Sequence, residues 1–208
     1  MHIRILTIVI ISFIFSSLNL FGQNLDIRLL REINLNRNKN FDNGFKLISN
    51  SVTPVTIAAP ILVFSAGMIE DDSIIMKKGL YIGEAVLVSA FVSTVLKYSI
   101  NRERPYVTFP DIEKGTSGGS PSFPSGHTSS AFSVATSLSI AFPKWYVIAP
   151  SFLWAGVTGY SRMDLGVHYP SDVLAGAIFG TGSAFLSYKL NGWINKKTKK
   201  EWLFYKEN

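Results

Sequence analysis

Apolar and polar positions alternate in two rhythms along this 208-residue chain. In "NLDIRLLREINL", residues 24–35, Leu25, Leu29, Leu30 and Ile33 share one helical face, which predicts a short amphipathic helix. Such a helix can lie at a membrane surface or pack against a bundle. "NRNKNFDNG" follows as a polar turn. Then come five apolar stretches, at about 52–68, 80–96, 128–142, 146–160 and 173–190. A helix needs roughly 20 residues to cross the hydrocarbon core, so these runs are somewhat short. They are rich in Ser, Gly, Thr and Ala, which suits close packing between helices in a membrane. The pattern predicts an all-α, membrane-embedded bundle of about five apolar helices; buried helices of a soluble protein are the competing reading. No internal repeat or low-complexity segment interrupts it.

The first 22 residues read differently. A basic start at Arg4, the apolar core "ILTIVIISFIF" and the small or polar "SSLNLFG" form a secretory signal, with an uncleaved first membrane helix as the alternative. Either way, residue 24 is expected outside the cytoplasm. Five spans from there leave Lys77, Lys78, Lys144 and the basic tail 191–208 inside, in line with the positive-inside tendency. The expected organisation is a signal at 1–22, an amphipathic helix and turn at 23–49, a membrane domain at 50–190 and a basic cytoplasmic tail. That predicts a multi-pass protein of the cell (inner) membrane.

Composition agrees and narrows the chemistry. The chain is 47% hydrophobic and 16% charged, against about a quarter charged in soluble domains. Its mean hydropathy is +0.24. Without cysteine, it has no disulfide, thiolate metal site or cysteine nucleophile. The net charge of +6 is not a nucleic-acid signature, since no aromatic-interleaved basic groove accompanies the tail.

Several basic residues run against the topology rule. Lys97, Arg102, Arg104 and Arg162 fall in the expected outside loops, with His127 and His168. Three of these cations and both imidazoles stand next to helix ends, which predicts an anion site. In "KYSINRERP", Pro105 stiffens the chain beyond Arg104, although Lys97 and Arg104 are also what interface snorkelling produces. In "FPSGHTSS", Ser125 can cap a helix whose first N–H groups attract anions, and Gly126 lets a ligand approach the backbone. His127 then stands in the first turn. A plain capping sequence with an incidental histidine reads the same way. In "SRMDLGVHYPSD", His168 and Asp172 are four apart, so the carboxylate can hold one imidazole nitrogen and leave the other free. An Asp cap beside a surface histidine is the simpler alternative. Two His and one Asp could ligate zinc, but the neighbouring cations would repel it. A Ser-His-Asp hydrolase lacks its strand-turn-helix elbow.

Taken together, the three segments resemble the type 2 phosphatidic acid phosphatase family, which shares its site with vanadium-dependent haloperoxidases. The family's pattern is Lys, six residues, Arg-Pro; Pro-Ser-Gly-His; and Ser-Arg, five residues, His, three residues, Asp. The chain matches it without departure over about residues 50–190. The resemblance implies that Lys97, Arg104 and Arg162 grip phosphate oxygens, with Ser125 and the Gly126 N–H adding hydrogen bonds. It implies that His168 attacks phosphorus to give a phosphohistidine, that Asp172 holds its imidazole, and that His127 protonates the leaving oxygen. No metal cofactor is implied; vanadate would be an inhibitor or, in a haloperoxidase, the cofactor. The expected activity is hydrolysis of a lipid phosphate or diphosphate on the extracytoplasmic face. A phospholipid, a polyprenyl phosphate and a lipid A-like glycolipid all remain open as substrate. Transfer to a lipid acceptor, haloperoxidation and a catalytically dead scaffold are the alternatives. The loop 106–122 is expected to cover the site and to be mobile through its glycines. Glu84, inside the second apolar run, is expected to face the bundle interior or water, with no role evident.

Overall fold

The computed structural model of the protein describes residues 24–194, and these are all-helical. The signal read at 1–22 and the tail from 195 lie outside the described residues. Helix α1 (24–35) precedes a short turn of 3-10 helix and α2 (Asp42–Asn50). The remaining elements are α3 (Val52–Ile69), α4 (Ser73–Ile100), the single turn α5 (Pro105–Thr108), α6 (Gly126–Ala141), α7 (Trp145–Asp164) and α8 (Pro170–Ile194). Each apolar stretch became one of the long helices. The largest extension is α4, whose 28 residues rise about 42 Å and carry Lys97 beyond the apolar run. Asp72 sets its start by accepting the N–H groups of Ile74 and Ile75 at 2.7 and 3.1 Å. The acidic 70–72 turn is therefore a helix cap, at the end of the bundle away from His127 and His168.

Among the described residues, three segments are long and apolar enough to cross a membrane: Lys39–Ile69, Ser73–Thr108 and Pro170–Trp193. They leave Ile61, Leu62, Leu87, Phe91, Leu174 and Ile178 exposed. Soluble proteins rarely expose so many large apolar side chains on neighbouring helices; in hydrocarbon they are at home. Trp145 and Tyr146 stand exposed at the start of α7, where amphipathic rings suit a membrane interface.

The five apolar runs do not play equal parts. Helix α6 packs on α3, α4, α7 and α8 and buries Thr128, Ser129, Ser133, Thr136 and Ser137. It is the axis of the bundle, and its small residues are what let four neighbours approach. The Ser89 and Ser93 hydroxyls on α4 meet Ser129 Oγ at 2.7 and 2.9 Å, a seam that would be costly to leave unpaired in lipid. On the other side, a Cβ at Gly180 of α8 would lie 2.1 Å from the Ser129 carbonyl oxygen. That contact is with backbone, which has no rotamer by which to yield. Gly180→Leu is expected to cost about 3 kcal/mol by overpacking, outweighing the roughly 1 kcal/mol of helix propensity gained on leaving glycine. An unchanged thermal midpoint in detergent would contradict this packing.

One sequence expectation is revised, and Glu84 gains a partner. Helix α1 packs on the bundle, but through Ile27 and Leu30, in a cluster with Ile112 and Tyr169. Leu25 and Leu29 stay exposed. The reason is polar: buried Asn34 bonds the Asp164 and Glu113 carbonyls at 2.7 and 3.0 Å, and buried Asp26 bonds Ser171 and Arg102. Satisfying those groups turns the helix away from its most apolar face. Glu84, for its part, accepts a hydrogen bond from the Asn191 side chain across the α4–α8 seam.

Candidate active site

One end of the bundle collects the helix ends that the sequence singled out. Lys97 is in the last turn of α4 and Arg104 is the residue before α5. His127 is in the first turn of α6, Arg162 in the last turn of α7 and Asp172 in the first turn of α8. His168 lies in the turn between α7 and α8. Asn101, at φ 49°, ends α4 in the left-handed conformation, and Pro105 opens α5. The turn after α7 depends on Gly166 at φ +69°, where a Cβ would meet the Glu113 carbonyl oxygen at 2.3 Å. With the chain reversed there, the Val167 and His168 N–H groups both donate to the Arg162 carbonyl, at 3.1 and 3.2 Å.

Lys97, Arg104, Arg162, Gly126, His127 and His168 line one cavity of about 260 Å³, with Ser117, Gly118, Gly119 and Ser120 across it. Those last four belong to the loop expected to be mobile. Two bonds tie it to its surroundings: Tyr106 donates its hydroxyl to the Gly118 carbonyl at 2.5 Å, and Gly115 N–H bonds the Leu165 carbonyl at 2.9 Å.

The cations share a feature that matters for charge. Lys97 donates to the Pro121 carbonyl at 2.7 Å, and Arg104 to the Ser120 and Val167 carbonyls at 2.8 Å each. Arg162 donates to the Ser49 hydroxyl and, at 3.5 Å, to the Ser117 carbonyl, and its buried Nε has no partner. Among the described residues, none of the three forms an ion pair with a carboxylate. Three positive charges thus face one small space held only by neutral acceptors. Buried cations of this kind call for an anion.

His168 is 1% exposed. Arg104 Nη1 lies 3.3 Å from its Nε2. Arginine only donates, so Nε2 must accept and the ring proton belongs on Nδ1. That nitrogen faces Asp172 Oδ2 and Ser122 Oγ, both at 3.5 Å. Burial pushes the His168 imidazole down to about 3, against the opposing pull of Asp172. The imidazole is therefore neutral near pH 7, with its Nε2 lone pair turned to Arg104 in the cavity wall.

Asp172 itself is fully buried and tied on every side. Its Oδ2 accepts from Ser122 Oγ at 2.5 Å and from Tyr169 N–H at 2.9 Å, and its Oδ1 from Arg102 at 2.8 Å. Ser125 departs from expectation. It stands at the position before α6, but its side chain makes no cap bond; its Oγ accepts from Thr128 at 2.9 Å, and its own N–H donates to the Asp172 carbonyl at 3.0 Å. Ser125 does not line the cavity, so the Gly126 and His127 N–H groups are what α6 offers there. Ser49, Ser122 and Arg102 were missed in the sequence. Only Arg102 carried a signal, as a basic residue against the topology rule.

Fold and site define a class: a membrane helix bundle that sets a histidine–aspartate pair against a cation-lined cavity at one end. The model of the PAP2 superfamily matches residues 78–196, more than half of the chain. The chain belongs to the PAP2 superfamily. It is 39% identical over 88 residues to a lipid A 4'-phosphatase of Bacteroides thetaiotaomicron, covering 42% of this chain and 39% of the relative. It is 33% identical over 125 residues to an undecaprenyl-diphosphatase of Sulfolobus acidocaldarius, covering 56% and 59%. The chain thus spans between about two fifths and three fifths of these relatives' lengths. Among solved structures, LpxE of Aquifex aeolicus aligns with a TM-score of 0.71 at 30% identity, over 79% of this chain and 95% of that one. A phosphatidylglycerolphosphate phosphatase of Bacillus subtilis shares the fold, with a TM-score of 0.69 at 24% identity over 84% and 88%.

Proposed function

We propose that the protein is a metal-independent phosphatase of membrane lipids, acting on a phosphate or diphosphate head group through a phosphohistidine. The observation that carries this is the cavity with three cations, none paired with a carboxylate, whose wall includes the neutral His168 with its Nε2 against Arg104. Its matches to lipid A phosphatases and to an undecaprenyl-diphosphatase support lipid substrates of those kinds.

In this reading Lys97, Arg104 and Arg162 hold the phosphoryl oxygens, joined by the N–H groups of Gly126 and His127. Arg104 turns to the phosphoryl oxygens, and the freed Nε2 lone pair attacks phosphorus as the bond to the leaving oxygen breaks. Burial and the three cations disfavour the charged form of His127 until the phosphate dianion binds; it takes up a proton with substrate and gives it to the leaving oxygen. Asp172 balances the charge that forms on the imidazole, whose proton stays on Nδ1. Water then attacks the phosphohistidine, losing its proton to His127; the P–N bond breaks, phosphate leaves and His168 is neutral again. The fixed cations serve throughout as the electrostatic stabiliser of the transferring group. They also repel a metal ion, and a tetrahedral oxyanion such as vanadate is expected to compete with substrate.

The reading places the site on the extracytoplasmic side. Lys77, Lys78 and Lys144 stand at the opposite end of the bundle, as the positive-inside tendency requires. A tag at the C-terminus is expected to be shielded from an impermeant label in intact cells; ready labelling there contradicts this orientation.

The function is tested by phosphate release from phosphatidic acid, phosphatidylglycerol phosphate, undecaprenyl diphosphate and lipid A, each with chelator present. At least one is expected to be hydrolysed at full rate under chelation. A strict need for a divalent cation would overturn the mechanism.

A further inference from the structure

The segment before the family match reaches the active site. We propose that Asp26 of α1 and Arg102 form a positioning relay that holds Asp172 against His168, so that α1 is part of the catalytic apparatus. This rests on the reading of His168 as the nucleophile.

The geometry is a chain of short bonds. Arg102 Nη2 donates to Asp26 Oδ2 at 2.7 Å, and its Nη1 donates to Asp172 Oδ1 at 2.8 Å and Ser171 Oγ at 2.7 Å. Asp26 in turn accepts from the Ser171 N–H at 2.8 Å and the Ser171 hydroxyl at 2.5 Å. The guanidinium carbon lies 3.8 Å over the Tyr169 ring centroid, which fixes the plane of the fork. Asp26 and Asp172 are 7% and 0% exposed, so water does little to screen either charge.

Arg102 thus differs from the three cations of the cavity. It is spent on two carboxylates and is not available to substrate. With Oδ1 of Asp172 committed to Arg102, only Oδ2 remains to face Nδ1 of His168. The positive fork also makes Asp172 a weaker proton acceptor, which keeps the proton on Nδ1 and the lone pair on Nε2. Asp26 holds that fork in place and compensates its charge. A lysine lacks the planar fork needed to span both carboxylates. Asp26 is upstream of the matched residues 78–196, and Arg102 is one of the six residues that the motif leaves unspecified between Lys97 and Arg104.

The test uses the full chain in detergent, with whichever of phosphatidic acid, undecaprenyl diphosphate and lipid A gives the highest wild-type rate. Asp26→Asn and Arg102→Gln are expected to lower kcat roughly 10- to 100-fold, the range typical for outer partners of a functional histidine, with KM little changed. Arg102→Lys should recover part of the loss. In an Asp172→Asn background, Asp26→Asn should have little further effect, because its influence runs through Asp172. A merely structural role for α1 predicts the opposite: the same factor in both backgrounds, together with a lower thermal midpoint. That result, or an unchanged kcat for Asp26→Asn while His168→Ala is inactive, overturns the inference. Retained activity in His168→Ala overturns the nucleophile reading, and the relay with it.

Discussion

His168→Ala is expected to lower kcat by at least about 10⁴-fold, while the bundle stays folded. The size follows from the role, because loss of a nucleophile leaves only binding and electrostatic stabilisation, as in other covalent enzymes. It also follows from the surroundings. Among the cavity-lining residues His168 is the one buried imidazole; His127 is half-buried at the first turn of α6. The imidazole removed is held by Arg104 at Nε2 and by Asp172 and Ser122 at Nδ1, so alanine leaves those groups near a small void without reorganising a helix. Thermal melting in detergent checks the fold and phosphate release checks the chemistry. A variant that melts like wild type and turns over within tenfold of it would rule out His168 as nucleophile.

The second large effect belongs to Arg104. Arg104→Ala is expected to lower kcat/KM by about 10³-fold, toward the upper end of what loss of one transition-state donor costs. The guanidinium has two duties. Its Nη1 bridges the Val167 carbonyl and His168 Nε2, and its Nε anchors the Ser120 carbonyl of the loop across the cavity. Removing it therefore takes away a charge from the phosphoryl site and loosens the wall opposite. Arg104→Lys keeps the charge but cannot make both contacts, so it should recover only a minor part. Inhibition by vanadate should weaken in parallel with kcat/KM. Undiminished vanadate inhibition in Arg104→Ala would mean that the guanidinium does not face the phosphoryl group.

What the sequence made legible was set by range along the chain. The helices were readable because apolar periodicity is local, and α3, α6, α7 and α8 start and stop within a few residues of the apolar runs. The cations and imidazoles were readable because each occurs beside a helix end in a spaced motif. The face of α1 was readable only in part: of the residues on the predicted stripe, Leu30 is buried in the core. Its apolar stripe favours Leu25 and Leu29, whereas the helix buries Asp26 and Asn34, whose partners lie as far as 145 positions away. The same limit hid Ser122 and Ser49, since no local pattern tells a serine that meets Asp172 or Arg162 from any other serine. Ser125 shows the converse. Its position before α6 was right, and its side-chain bond was taken up by Thr128, which only the packed structure reveals.

The central claim is a covalent bond between His168 and phosphorus with no metal involved. It is tested most directly by rapid mixing with a substrate labelled at the terminal phosphate, in chelator, followed by an alkaline quench. The account predicts an acid-labile, base-stable phosphoryl group that forms before phosphate is released and maps to the peptide carrying His168. Full turnover with no labelled protein at any time, or label on a residue other than His168, would contradict it.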